Sequence, residues 1–275
     1  MTLHPIEDTL ARLAGVDEHF RSQLLTKPDA QAGWRSAAEI TMAGTPHLDG
    51  ILAHVALRYK VITRPPAVSL WFGQYAFGVM TVAIACYLVE QRVPDLTSAN
   101  VQVRFDGDGN PAAFAWCGRS FAALPEDPAA HHPDCMVFSS RKALREHLLN
   151  QIITHLTPLV EALRVLSSFG RPALWALAAD SSASAFTWIA ELLGDTALGL
   201  EEARAFSAAP SLLHRKRDFI PVEHCGLTYT MLDRVSCCLY FKVEDGDYCS
   251  TCPHRPPEER VGMIKNWLEK QAAEQ

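Results

Sequence analysis

The chain has 275 residues, enough for one large domain or two small ones around a sizeable apolar core. Its composition, 48% hydrophobic and 20% charged, is that of an ordinary globular protein. A formal net charge of -6 and the absence of a long Lys/Arg run exclude the basic footprint that nucleic-acid binding needs, and the densest basic cluster, His214, Arg215, Lys216 and Arg217, reads as solvated surface.

Acidic residues appear at once in the N-terminal stretch, and no basic segment precedes an apolar run. This is no secretory signal, so the chain is expected in the reducing cytoplasm. Residues 5–26 read as an amphipathic helix with Ile6, Leu10, Leu13 and Phe20 near one stripe. Two more helices follow at 47–60 and 68–91, the second stopped by Pro94. Residues 65–89 carry no charge and are long enough to span a bilayer. The run opens with two prolines and contains Ser69, Gly73, Gln74, Tyr75, Gly78 and Thr81, which suits a buried helix of a globular body better. A peripheral contact with the inner face of a membrane stays open.

The period then changes from helical to alternating. VQVRF (101–105) and PAAFAW (111–116), joined by DGDGN, form a β-hairpin. Residues 118–137 are loop-rich, with several prolines. Helices resume at 139–168, with Ser140 as N-cap, and at 172–194, and a weaker helical pattern covers 197–207. Residues 219–243 look extended, with Leu227, Tyr229, Tyr240, Phe241 and Val243 as markers. A terminal helix follows Pro256 and Pro257, with Glu258 and Glu259 at its positive end and Val261, Ile264 and Leu268 inward, where it would pin the preceding segment. The expected class is α+β, mostly helical, with a β-hairpin and a small C-terminal extended segment. Residues 1–137 and 138–275 form two parts, or one compact domain.

Four of the eight cysteines fall between positions 237 and 252, spaced C-C-x10-C-x2-C: Cys237, Cys238, Cys249 and Cys252. A reducing compartment argues against a disulfide framework and for metal ligation or buried free thiols. Cys86, Cys117 and Cys135 have no partner spacing and read as packing residues. His224-Cys225 and His131-His132-x-x-Cys135 resemble ligand pairs without a complete set, and read as structural. CSTCP places Cys249 and Cys252 on one tight turn, as in zinc knuckles, iron–sulfur sites and redox turns. The adjacent pair discriminates further. Neighbouring side chains of a strand point to opposite faces, so two adjacent sulfurs reach one small ion only if the backbone kinks. A cluster with two irons takes them more easily; zinc remains the alternative.

The stretch RVSCCLYFKVEDGDYCSTCP resembles the C-terminus of the FhuF-type ferric-siderophore reductases. HLTPLVEALRVLSSFGRPALWALAAD (155–180) is similar to that family's helix ending in a Trp-containing segment. SLWFGQYAFGVMTVAIACYLVE with the DGDG hairpin is similar to its N-terminal half. The resemblance covers roughly residues 45–255. It implies a [2Fe–2S] cluster held by Cys237, Cys238, Cys249 and Cys252. One departure is that the family often has two basic residues ahead of the cysteine pair, where this chain has only Arg234.

The resemblance also implies a function, the one-electron reduction of Fe(III) in a siderophore, which releases weakly held Fe(II). Such chemistry needs no acid, base or nucleophile, which fits the lack of a convincing triad. The chain has no G-x-G-x-x-G fingerprint after a strand and no P-loop. The expected electron donor is therefore external, a ferredoxin or a flavin- or NAD(P)H-dependent reductase. Arg234, Lys242, His254 and Arg255 flank the cysteines and are candidates to attract an anionic chelate or to donate hydrogen bonds to sulfur. Trp175 matches the family's Trp segment and is a candidate pocket wall. Three alternatives stand beside this: a zinc-clamped interaction module, an iron–sulfur redox sensor, and a nucleotide-using ligase like the siderophore synthetases of the wider superfamily.

Overall fold

A computed structural model describes residues 3–25, 27, 30–42 and 47–274. The first helix, α1 (Pro5–Ala14), is shorter than the sequence pattern suggests. Gly15 ends it, and Asp17 caps a short 3-10 turn, Glu18–Phe20, through the amide of His19. Strand β1 (Ser22–Leu24) then pairs in parallel with β5 (Pro111–Trp116). Ile6, Leu10, Leu13 and Phe20 are all buried, so the apolar stripe was legible although Phe20 reaches the core from outside the helix. Strand β2 (Trp34–Ser36) leads into α2 (Ala37–Thr41), where Ser36 and Glu39 form a reciprocal capping box.

Helices α3 (His47–Arg58) and α4 (Arg64–Glu90) follow. Helix α4 starts earlier than the expected residue 68 because Pro65 and Pro66 sit in its first turn, where a missing N–H costs nothing. Gln91 closes it in the left-handed conformation (φ 51°). Helix α4 is long and apolar enough to cross a membrane, yet most of it is covered by this protein's own side chains. A helix that is apolar all round belongs inside a core, and α4 is the centre of this one.

Strand β3 (Val93–Pro94) lies beside β6 (Phe121–Ala123), which pairs in parallel with β7 (Cys135–Val137). Strands β6 and β7 lie in the region whose prolines suggested only loop. Strand β4 (Val101–Phe105) and β5 form the expected hairpin; the Asp106 carboxylate closes its turn by accepting from the amides of Asp108 and Asn110. The four-stranded sheet runs β1-β5-β4-β2. Gly78 lets this sheet lie close to α4, since a Cβ there would sit 2.5 Å from the Phe114 ring.

Helices α5 (Arg141–Leu166), capped by Ser140, α6 (Arg171–Leu192) and α7 (Thr196–Ala208) complete the body, with α6 packed along α4. One core cluster runs from Ile6 to Leu232 and joins both halves of the chain. Strands β8 (Phe219–His224) and β9 (Leu227–Leu232) form a hairpin. Its turn residues, Cys225 (φ 51°) and Gly226 (φ 76°), have the positive φ that tight two-residue hairpin turns demand. Helix α8 (Pro257–Ala273) packs Ile264 and Leu268 against Val222 and Met231 of that hairpin, with Val261 beside them. Mostly helical and, among the described residues, with three small sheets, the fold is α+β.

Candidate metal centre

The extended pattern expected over 219–243 ends at β9. Asp233 donates a last rung to Asp218 (2.9 Å), and residues 233–239 then leave the sheet. Their polar groups are taken up by side chains of the helical body. Asp180, nearly inaccessible on α6, accepts from the Ser236 amide (2.9 Å), the Ser236 hydroxyl and the Val235 amide (3.4 Å). The Ser69 hydroxyl, near the start of α4, donates to the Cys238 carbonyl. Leu239 then turns into the left-handed region (φ 59°), which bends the chain directly after the cysteine pair.

A 3-10 turn, Tyr240–Lys242, and a reversal at Asp245 and Gly246 bring the chain back. Gly246 is obligatory, because a Cβ at that position would lie 2.1 Å from the Tyr240 carbonyl oxygen. Cys249 and Cys252 lie on one turn, closed by the Cys252 amide donating to the Cys249 carbonyl (3.0 Å).

Backbone and side-chain donors face the sulfurs. The Leu239 amide donates to Cys237 (3.4 Å), and the Thr251 hydroxyl lies 4.0 Å from Cys249. The amides of Tyr240, Thr251 and His254 act to lower the pKa of Cys238, Cys249 and Cys252, as groups that stabilise thiolate charge do. The thiols also interact across the two pairs, Cys238 with Cys249 and Cys237 with Cys252. A hydrogen bond from Cys238, aided by the Arg234 guanidinium, holds the Cys249 thiol down to about 5. The reciprocal bond and burial push Cys238 up, and burial raises Cys252. Cys252 is buried, whereas the other three are partly accessible.

The flanking candidates divide. Arg234 reaches a sulfur, its Nη1 lying 3.9 Å from Cys249 Sγ. Arg255 closes the loop by bonding Asp247 (3.0 Å), the Tyr248 carbonyl (2.7 Å) and Glu259. Lys242 is exposed with its ammonium over the Phe241 ring, and His254 is exposed against Phe241 and Tyr248. Trp175 requires a correction, because it is buried in the core and lines no cleft at the cysteines. Leu177, Asp180, Ser184 and Trp188, at helical spacing on another face of α6, line that cleft. Arg217 is also corrected. Its side chain is buried and donates to Asp180 (2.7 Å), so it is not solvated surface.

The cleft holds about 490 Å³ between α4, α6 and β9. Gly73, Phe77, Trp188 and Tyr229 contribute to it, and Arg234, Cys238 and Thr251 bring the cysteine segment into its wall. Sequence reasoning missed Asp180, although it is the only charged residue of α6 between Arg171 and Glu191. An acid within an apolar helix was the available signal.

Cys86, Cys117 and Cys135 behave as packing groups, and Cys225 is exposed in the hairpin turn. Burial pushes Cys86 up to about 12 and raises Cys117 and Cys135. Elsewhere His4, His132 and Asp134 come together, with His4 Nε2 3.2 Å from Asp134. Nδ1 of His4 accepts from the Ile6 amide and Nδ1 of His132 from the Asp134 amide. A ring that accepts at Nδ1 carries its proton on Nε2, so hydrogen bonds already engage these groups.

Two family models match this chain. Residues 69–222, more than half of it, match the ferric iron reductase FhuF-like transporter family, and residues 234–254 match the FhuF 2Fe-2S C-terminal domain. The chain belongs to the FhuF-like family. Its C-terminal segment is a [2Fe–2S] domain, and the all-thiolate donor set described above fits that cofactor. No curated protein matches this FhuF-like chain. Two solved structures of the aerobactin synthetase IucA from a hypervirulent pathotype of Klebsiella pneumoniae are similar to it. The ATP-bound form aligns with 64% of this chain at 17% identity and a TM-score of 0.40, and the other with 74% at 14% identity and 0.46. The FhuF-like chain spans 31% and 38% of those synthetase chains.

Proposed function

We propose that this protein reduces Fe(III) held by a siderophore to Fe(II), with Cys237, Cys238, Cys249 and Cys252 as ligands of the [2Fe–2S] cluster. When bound, the cluster supplies one electron at a time. The chain's own residues do the rest. The Leu239 amide donates to Cys237, Arg234 donates to Cys249, and the cleft receives the chelate. One observation carries this reading: Cys238 and Arg234 form part of the wall of a cleft large enough for a ligand. An electron therefore has a short route from sulfur to a chelate seated there. The donor is external, a ferredoxin or a flavin- or NAD(P)H-dependent reductase, and the reaction takes place in the cytoplasm. Exposed Leu57 and Ile62, flanking the turn between α3 and α4, support a peripheral contact with the inner face of the membrane.

The test is the visible spectrum of protein purified without oxygen, before and after dithionite, with iron and acid-labile sulfide quantified. The expected result is a brown protein with about two of each per chain that bleaches on reduction and is reoxidised by a ferric siderophore. A colourless protein with one zinc per chain, or a reduced cluster that ferric siderophores leave untouched, overturns the reading.

A further inference from the structure

Asp180 touches no cysteine, yet it organises the approach to them. It lies in the middle of α6 with its side chain 3% exposed and carries a charge inside an apolar helix. Burying a carboxylate is unfavourable unless its oxygens are well partnered, and these are. Arg217 donates to Oδ1 at 2.7 Å, and its own position is fixed by a second bond to the Ala179 carbonyl at 3.0 Å. That clamp turns Oδ2 toward the cysteine segment, where it accepts from the Ser236 amide at 2.9 Å. On the same oxygen the Arg234 Nε lies at 3.6 Å. The other end of that guanidinium, Nη1, lies 3.9 Å from Cys249 Sγ.

We infer that Asp180 is a positioning residue that aims Arg234 at Cys249 and through it sets the reduction potential of the cluster. The inference rests on Cys249 being a cluster ligand. The physical argument concerns geometry and sign. Arginine has a long, flexible stem, and only a partner on its far edge fixes where the remaining N–H groups point. Oδ2 supplies that partner. An N–H directed at a ligand sulfur, together with the positive charge, stabilises the reduced cluster, which carries one more electron. Asp180 thus acts in two opposed ways. Through space, its negative charge favours the oxidised cluster; through Arg234, it favours the reduced one. The geometry makes the second dominant, because the guanidinium lies between the carboxylate and the sulfur.

The opposed signs make the idea testable. Wild type, D180N, R234M and the double variant are purified without oxygen, their iron and sulfide are counted, and the midpoint potential of each cluster is measured by spectroelectrochemical titration. D180N keeps the shape of the side chain but loses the charge that holds Arg234. R234M and D180N should each shift the midpoint to more negative values, on the order of tenfold in the oxidised-to-reduced ratio at fixed potential, or about 59 mV for one electron. The double variant should lie no lower than R234M. A positive shift in D180N, no shift, or a shift that persists unchanged in the R234M background overturns the inference while leaving the reductase reading intact. A wild-type protein without a cluster sinks both. If D180N does not load, D180E replaces it. There the charge is kept and displaced by one methylene, so a negative shift supports positioning and an unchanged midpoint refutes it.

Discussion

Around α4, Trp71, Phe72, Tyr75, Met80 and Tyr87 are enclosed by other side chains of the core. Across residues 233–255 only Ser236, Val243 and Cys252 are buried. The first region is held by apolar burial shared among many residues. The second has almost no core of its own and is fastened by particular polar contacts: Asp180 to Ser236, Arg260 to Asp233, Arg255 to Asp247, and Ser69 to the Cys238 carbonyl. Local stability follows the density of buried apolar contacts, so the cysteine segment is the part whose order depends most on what it binds.

The sharpest break in that comparison is a ligand substitution. C249S should remove iron and sulfide from the purified protein almost completely, while the far-UV circular dichroism of the helical body stays at the wild-type level. Retention of the full visible spectrum would sink the ligand assignment. Loss of the helical signal would show that the two regions do not stand apart energetically. The next largest effect belongs to the body. Trp71 is buried, stacks on Tyr75 (5.4 Å) and donates to the Gly109 carbonyl (3.1 Å). W71A should cost about 3–5 kcal/mol in denaturant unfolding. A loss below about 1 kcal/mol would mean that the core around α4 is looser than its burial implies.

This contrast also explains what could be read from the sequence. Apolar periodicity located α4, α5, α6 and α8, because each buries a stripe or its whole circumference. The hairpin of β4 and β5 was legible from its turn residues. The N-terminal pattern was read as one helix because it counts apolar positions and cannot see that Phe20 reaches the same core from a 3-10 turn. Strands β6 and β7 were missed because each is only three residues long, set in a proline-rich stretch. At the site, the four cysteines stood out by their spacing. Asp180, Arg217 and Ser69 did not, since they lie far away in sequence and meet the segment only in the folded chain. Trp175 and Trp188 share one helix, and only the structure decides which of them faces the cleft.

A pH measurement probes the polar centre of the body. His155 is buried against Tyr75 (2.9 Å) and the Leu96 carbonyl (2.7 Å), and burial lowers its pKa from 6.5 to about 4. Between those values the unfolded chain binds a proton that the folded chain excludes, so stability rises with pH across this window and falls as pH drops through it. The shift corresponds to ~3 kcal/mol lost between pH 6.5 and 4. H155Q removes this titration. Its stability at pH 7 should be lower, and the gap to wild type should narrow as the pH falls to 4.5. Parallel curves for the two proteins would show that His155 does not titrate as its burial requires.

The smallest expected effect tests whether every polar contact to the cysteine segment matters. Lys60, just beyond α3, meets Glu244 in the loop, but their side chains are 69% and 52% exposed. Water solvates both charges well, salt screens them, and two flexible side chains lose entropy when they meet. Tyr59 and Tyr240 also touch at the same junction, edge to face at 6.4 Å, so the loop is not left unattached. K60A should therefore change stability by less than about 0.5 kcal/mol and leave the rate of iron loss to a chelator unchanged. R260M, which removes a buried cation from Asp233, should speed that loss severalfold at the same protein and chelator concentrations. Equal rates for the two variants would mean that the segment is held by the cluster alone and that the polar contacts beneath it contribute nothing to its retention.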